Sequence, residues 1–186
     1  MFIQTEQTPN PATLKFIPEC SILESGTASF QTAEDAKDIS PFATKLFAVN
    51  GVAGVFFGKD FVTITKSDDI EWMDLKPLVL GEMIQFLSSG EKIITTDADI
   101  VTEEADVDPS DDEIVAQIKE LINTRVRPAV AQDGGDIIFH EFTDGIVYVS
   151  MQGACDGCPA STATLKMGIE NMLKYYIPEV IEVRAK

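Results

Sequence analysis

The sequence predicts two small α+β domains joined by an acidic linker, the second of α-β-β-α-β order. Three observations carry this expectation. Residues 97–113 hold nine of the chain's 31 acidic residues and no base. Like charges repel along such a stretch, and it lacks helical periodicity, so it reads as a linker. Before it, short stretches with a period of two stand beside stretches of helical period. After it, helix and strand patterns alternate over about 75 residues, enough for one core. The expected limits are residues 1–94 for the first domain, 95–110 for the linker and 111–186 for the second domain.

In the first domain, "FIQTEQ" and "TLKFI" alternate apolar and polar residues as strands do, and "TPNP" between them is a turn cluster. "SPFATKLFAV" predicts a short helix, with Ser40 as its cap and Pro41 at its first position. "GVFFG" and "FVTITK" predict a hairpin across Lys59-Asp60, with Gly58 taking a positive φ. "IEWMDLKPLVLGEMIQFLSSG" predicts a helix that ends at Gly90. Its apolar stripe is Leu75, Leu78, Val79, Ile84 and Leu87, and Pro77 must lie early or kink it.

The second domain opens with "SDDE", a capping box from Ser110 to Glu113. Ile114, Ile118, Leu121 and Ile122 follow at helical spacing, and Pro128 is expected to end or break that helix. "QDGGD" supplies a tight turn, and "IIFHEF" and "IVYVSM" are strands joined by "TDG". A last helix carries Leu165, Ile169, Met172, Leu173 and Tyr176 on one face, Pro178 stops it, and "VIEVRA" is the final strand.

Composition narrows the function. A net charge of −17 disfavours nucleic acid, whose phosphates select basic surfaces, and disfavours anionic membranes equally. No apolar run approaches the roughly 18 residues of a membrane span. "MFIQTEQTPNP" lacks the basic and apolar regions of a signal peptide. Three cysteines, an odd number, do not read as a disulfide framework, so a reducing cytoplasm is the simplest compartment. A processed organellar protein would read the same way. No phosphate-binding or dinucleotide fingerprint is present, and one histidine leaves little for acid–base catalysis.

The chemistry concentrates in "GACDGCPASTATLKMGI", which places Cys155 and Cys158 in a glycine-flanked loop before a helix. A helix N-terminus offers unpaired N–H groups and partial positive charge, which favour thiolate over thiol. Gly153 and Gly157 let backbone approach and turn around a ligand. Three readings fit this pattern. The pair can be a dithiol/disulfide couple, although "MQGA" before it lacks the aromatic neighbour of thioredoxin-like proteins. It can be half of a structural zinc site, which needs two more ligands when only Cys20 and His140 remain. It can also be half of a site shared by two chains, each giving two thiolates to one cage. Cys20 reads as an ordinary thiol and His140 as a strand residue. Asp133-Gly134-Gly135-Asp136 reads first as a structural turn with a positive φ at a glycine, and alternatively as a turn placed near the cysteine loop that supports it; Trp72, Phe56 and Phe57 read as core or domain surface.

"RPAVAQDGGDIIF" and "GACDGCPASTATLKMGIENMLKYYIPEV" closely resemble the C-terminal domain of NifU-like (Nfu) iron–sulfur proteins. "TPNPATLKFIP", "SPFATKLFAVNGVAGVFFGKDFVTITK" and "EWMDLKP" resemble the Nfu N-terminal domain. The resemblance covers nearly everything outside the acidic segment. It implies a non-enzymatic protein that assembles or carries a 4Fe-4S cluster and hands it to apo-proteins. In that family paired cysteines bridge the cluster between two chains, and they map here onto Cys155 and Cys158. The implied partners are a second copy in the loaded state, cluster donors and apo recipients. The rival function is a dithiol oxidoreductase using the same two cysteines.

Overall fold

A computed structural model of the chain describes residues 1–95, 112–156 and 159–186, with side chains of the last segment from residue 163 onward. Two separate hydrophobic clusters are present, one drawn from Ile3–Phe86 and one from Ile118–Val183.

The first cluster lies under a five-stranded antiparallel sheet. Its strands are β1 (Ile3–Gln7), β2 (Thr13–Pro18), β3 (Ala28–Phe30), β4 (Val52–Phe57) and β5 (Val62–Lys66), in the order β1-β2-β5-β4-β3. Helices α1 (Ala33–Ala36), α2 (Pro41–Phe47) and α3 (Trp72–Ser89) complete the domain. The Ser40 hydroxyl accepts from the Ala43 N–H, and Pro41 opens α2 as its fixed φ favours. Phe42 stacks between Phe57 and Phe86, with ring centroids 5.4 and 4.7 Å away. β3 and α1, in "ASFQTAEDA", were not expected from the sequence. They are short, and α1 is held by a capping box between Thr32 and Asp35.

Two expectations here are corrected. Gly58 does not have a positive φ. It is glycine because a Cβ would run into the Phe61 ring. In α3 the buried stripe is Leu75, Val79, Met83 and Phe86, whereas Leu78 and Ile84 are exposed. That stripe follows steps of four, four and three, the period of a helix facing one surface. Pro77 sits inside α3, and Gly90 ends the helix in the left-handed conformation.

The second cluster packs beneath the three-stranded sheet β6 (Gly135–Thr143), β7 (Ile146–Gly153) and β8 (Glu182–Ala185), in that order. β6 and β7 form a hairpin turned by Asp144 and Gly145, both at positive φ, and β8 runs parallel to β7. Helix α4 (Glu113–Leu121) passes through a π-helical turn (Ile122–Val126) into α5 (Arg127–Gln132), and α6 (Pro159–Tyr176) crosses from β7 to β8.

Pro128 therefore does not end the first helix of this domain. The wider turn puts the Arg127 N–H on the Ile122 carbonyl, and this shift of the hydrogen-bond ladder accommodates the missing proline N–H. The α4 cap is Asp112, without a side-chain bond, and Ser110 lies outside the described residues. Tyr176 is exposed, and Ile177 takes the buried place instead. Thr95, expected to begin the linker, donates to the carbonyls of Asp38 and Ile39; the remainder of the linker lies outside the described residues.

Truncating Phe42 to alanine removes both stacks from a fully buried position. It is expected to cost about 3–5 kcal/mol. Urea unfolding followed by fluorescence of Trp72, the chain's one tryptophan, reads this directly, since Trp72 packs against the same core.

Candidate functional site

The thiol loop runs from the end of β7 to the start of α6. Gly153 has φ near 67°, a conformation that glycine adopts without strain, and it redirects the chain out of the sheet. The Ala154 N–H then donates to the Gly134 carbonyl at 3.1 Å, and the Asp156 N–H returns to Gly153 at 3.1 Å. These bonds lay Ala154-Cys155 against the Gly134-Gly135 turn. A Cβ on Gly135 would stand 2.5 Å from the Gln152 carbonyl oxygen and 3.0 Å from the Cys155 Sγ, so the backbone contact requires glycine here. Cys155 is 3% exposed and belongs to the second hydrophobic cluster.

Helix α6 begins at Pro159, directly after Cys158 in sequence, and its first turn contains no acidic residue. Its unpaired N–H groups and positive end are therefore not offset by an acid of that turn. Cys158 and Gly157 lie outside the described residues.

The turn is fixed from behind by Asp136. Its carboxylate accepts from Arg127 Nε at 3.1 Å, from the Ile137 N–H at 2.7 Å and from the Thr27 hydroxyl at 2.7 Å. Arg127 Nε also reaches the Ile137 carbonyl. Both side chains of the ion pair are under 10% exposed. A buried charge is tolerated only when paired in this way.

Of the other sequence candidates, Phe56 lies close to this loop, where a Cβ on Gly153 would stand 3.0 Å from its ring. Cys20 is partly buried in the first domain. His140 is exposed and hydrogen-bonds Ser150 at 2.8 Å. Phe57 is core, and Trp72 donates to the Pro11 carbonyl. The Asp133–Asp136 turn does support the cysteine loop, through the contacts just described.

Sequence reading missed the first domain's contribution. Asn10 Nδ2 donates to the Ala154 carbonyl at 3.3 Å, and the Thr63 hydroxyl to the Gly134 carbonyl at 2.7 Å. Lys15 Nζ donates to the Ala131 and Gln132 carbonyls at the end of α5, and lies 4.4 Å from the Phe61 ring centroid. A cation is favourable at a helix C-terminus. Gln31 reaches Asp156 at 3.3 Å. The available signal was positional. Lys15 and Thr63 are the alternate residues of their strands, the ones facing away from the helices.

Replacing Asp136 by asparagine keeps the shape and leaves Arg127 as an uncompensated buried charge. The loss is expected to reach about 3–5 kcal/mol in urea unfolding followed by circular dichroism. Thr27→Val, which removes one hydroxyl donor to the charged carboxylate and leaves the ion pair intact, is expected to cost less, about 1.5–3 kcal/mol.

Comparison with known proteins agrees with this architecture. Residues 3–90 match the family model "Scaffold protein Nfu/NifU N terminal", and residues 118–184 match the "NifU-like domain". The chain is 49% identical over 181 residues to the human "NFU1 iron-sulfur cluster scaffold homolog, mitochondrial", covering 97% of this chain and 70% of that one. It is 48% identical over 182 residues to "NifU-like protein 4, mitochondrial" of Arabidopsis thaliana, covering 97% of this chain and 64% of that one. The chain thus spans about two thirds of the length of these relatives. On these matches, the chain belongs to the Nfu/NifU scaffold-protein family.

Proposed function

We propose that this protein is an iron–sulfur cluster carrier that holds a labile 4Fe-4S cluster between two copies of the chain, through Cys155 and Cys158 of each, and passes it to apo-proteins. The observation that carries this reading is the placement of the thiol pair. Cys155 lies between a glycine turn and the start of α6, and Cys158, outside the described residues, immediately precedes that helix in sequence. A cubane takes four thiolates, and one loop has two. The chain's remaining cysteine sits in the other domain, and its one histidine is bonded to Ser150. Two loops facing each other supply the set. The scaffold names of the relatives support cargo chemistry rather than turnover of a substrate.

In this reading the cluster is cargo. When bound, it supplies exchangeable iron and sulfide. The chain's own residues present thiolates at a positive helix end, offer backbone around the sulfurs, and give the cluster up when the two copies separate. Residues 111–186 form the cluster unit, and residues 1–94 recognise donors or recipients. The partners are donors, apo recipients and a second copy, not nucleic acid or membrane. Among the described residues, no helix is long and apolar enough to cross a membrane. The relatives' names place those proteins in mitochondria. For this chain we infer a reducing compartment, either cytoplasm or an organelle interior.

The test is anaerobic loading with iron and sulfide, followed by transfer to an apo-protein. Cys155→Ser and Cys158→Ser are each expected to abolish loading, and Cys20→Ser to leave it intact. A single Cys155 or Cys158 variant that keeps a full-strength cluster contradicts the site. Catalytic reduction of insulin disulfides by the apo protein, without cluster transfer, would replace this function by a dithiol oxidoreductase.

A further inference from the structure

A groove of about 540 Å³ separates α6 from α5 and the π-helical turn before it. Arg125 stands beside Tyr176 at the end of α6, and Asp133 adjoins the Gly134 carbonyl that holds Ala154 ahead of α6, so the two walls run antiparallel. Val126 and Ala129 line one wall, and Leu165, Gly168, Ile169 and Met172 the other. Arg125 marks one end, its guanidinium 5.1 Å from the Tyr176 ring, and Asp133 marks the opposite end. Among the described residues, neither charge takes part in an ion pair.

Nothing inside the chain explains why residue 168 is glycine. It lies within an 18-residue helix, its φ is not positive, and a Cβ there would meet no described atom within 4 Å. Glycine costs about 1 kcal/mol relative to alanine in a helix interior. What the missing side chain does is keep the groove deep, opposite the equally small Ala129. Tyr175, exposed and two turns beyond Gly168, extends the same face. Arginine, tyrosine and methionine, which border this groove, are the residue types enriched at protein interfaces.

The walls decide what kind of segment fits. Both are helical, with backbone groups bonded internally, so the groove offers no row of free donors or acceptors. An extended strand laid there would bury unpaired N–H and C=O groups, whereas a helix brings its own already paired. Arg125 and Asp133 are eight positions apart, a rise on the order of 12 Å that about two to three helical turns match. Helices favour acids in the first turn and bases in the last. Such a helix satisfies both ends of the groove when its first turn meets Arg125 and its last turn meets Asp133, running antiparallel to α6. The chain's own outward apolar helix face does not meet this description: α3 exposes Met73, Leu78 and Ile84 but has no base in its last turn.

We infer that this groove is a docking site for an amphipathic helix of a partner protein, with one apolar face, an acid in its first turn and a base in its last. The site uses neither thiol and does not depend on the carrier reading.

The experiment uses the metal-free full chain, labelled with 15N, and two blocked alanine-rich peptides of about four turns, long enough to hold some helix in water. Both carry leucines along one face. One has glutamates in its first turn and lysines in its last; the other has the same composition with the end charges exchanged. The first is expected to bind with a Kd below about 1 mM, and the second at least about fivefold more weakly. Binding is expected to shift the amide signals of Ala129, Gly168 and Met172. Arg125→Glu/Asp133→Lys inverts the preference between the peptides. Gly168→Leu fills the groove and weakens the first peptide at least about tenfold, while its urea midpoint does not fall, because leucine is the better helix former. Should that variant misfold, Ala129→Leu fills the groove from the other wall.

Absence of binding, shifts confined to residues outside the groove, equal affinity for the two peptides, or full affinity in the folded filling variants overturns the site. Self-association of the unsubstituted chain that Gly168→Leu abolishes gives the groove to a second copy and overturns the partner helix.

Discussion

The carboxylate of Asp136 holds three parts of the molecule in one place. It is buried, so it must be satisfied, and its donors come from α5, from the β6 backbone and from Thr27 of the other domain. That requirement fixes the angle between α5 and β6, and hence the Gly134-Gly135 turn between them. The turn in turn fixes the thiol loop, because Gly134 accepts the Ala154 N–H and Gly135 leaves room for the Cys155 sulfur. The π-helical turn belongs to the same constraint. It carries the helix through residues 122–126 to Arg127, just ahead of Pro128, and so delivers Arg127 to the carboxylate.

The first domain attaches to this constraint from outside. Its sheet has helices on one face and the second domain on the other, so alternate residues of β2, β4 and β5 serve two different surfaces. Leu14, Phe16, Val55, Phe57, Val62 and Ile64 make its core, whereas Lys15, Phe56 and Thr63 meet the second domain. Phe56, buried and outside the first cluster, stands against Gly153 beside these polar contacts. Each hydrogen bond of the contact is worth about 1 kcal/mol net.

The local signals in the sequence were strong where they depended on backbone geometry. Ser40-Pro41 set the start of α2, Gly90 set the end of α3, and Asp144-Gly145 set the β6–β7 turn. The α+β class and the α-β-β-α-β order followed from period alone. The misses came from long-range packing. Pro128 read as a stop because a π-helical turn has no local signature. Gly58 read as a positive-φ residue because the Phe61 ring that crowds it is visible only in the fold. Lys15 and Thr63 read as ordinary polar strand positions, since nothing in a period of two says whether the polar face meets water or another domain. The cysteine pair stood out in the sequence as two thiols in one glycine-flanked loop. What positions the loop, the Asp136 network and the first domain's hydrogen bonds to Gly134 and Ala154, is spread over residues 10–156 and has no linear pattern.

The central claim is that one chain carries half of a cluster site. Native mass spectrometry of the anaerobically loaded full chain tests it most directly. The account predicts a species of two chains with about four irons and four sulfides between them, which falls apart to cluster-free single chains when the cluster is chelated. A single chain that holds a complete four-iron cluster would contradict it.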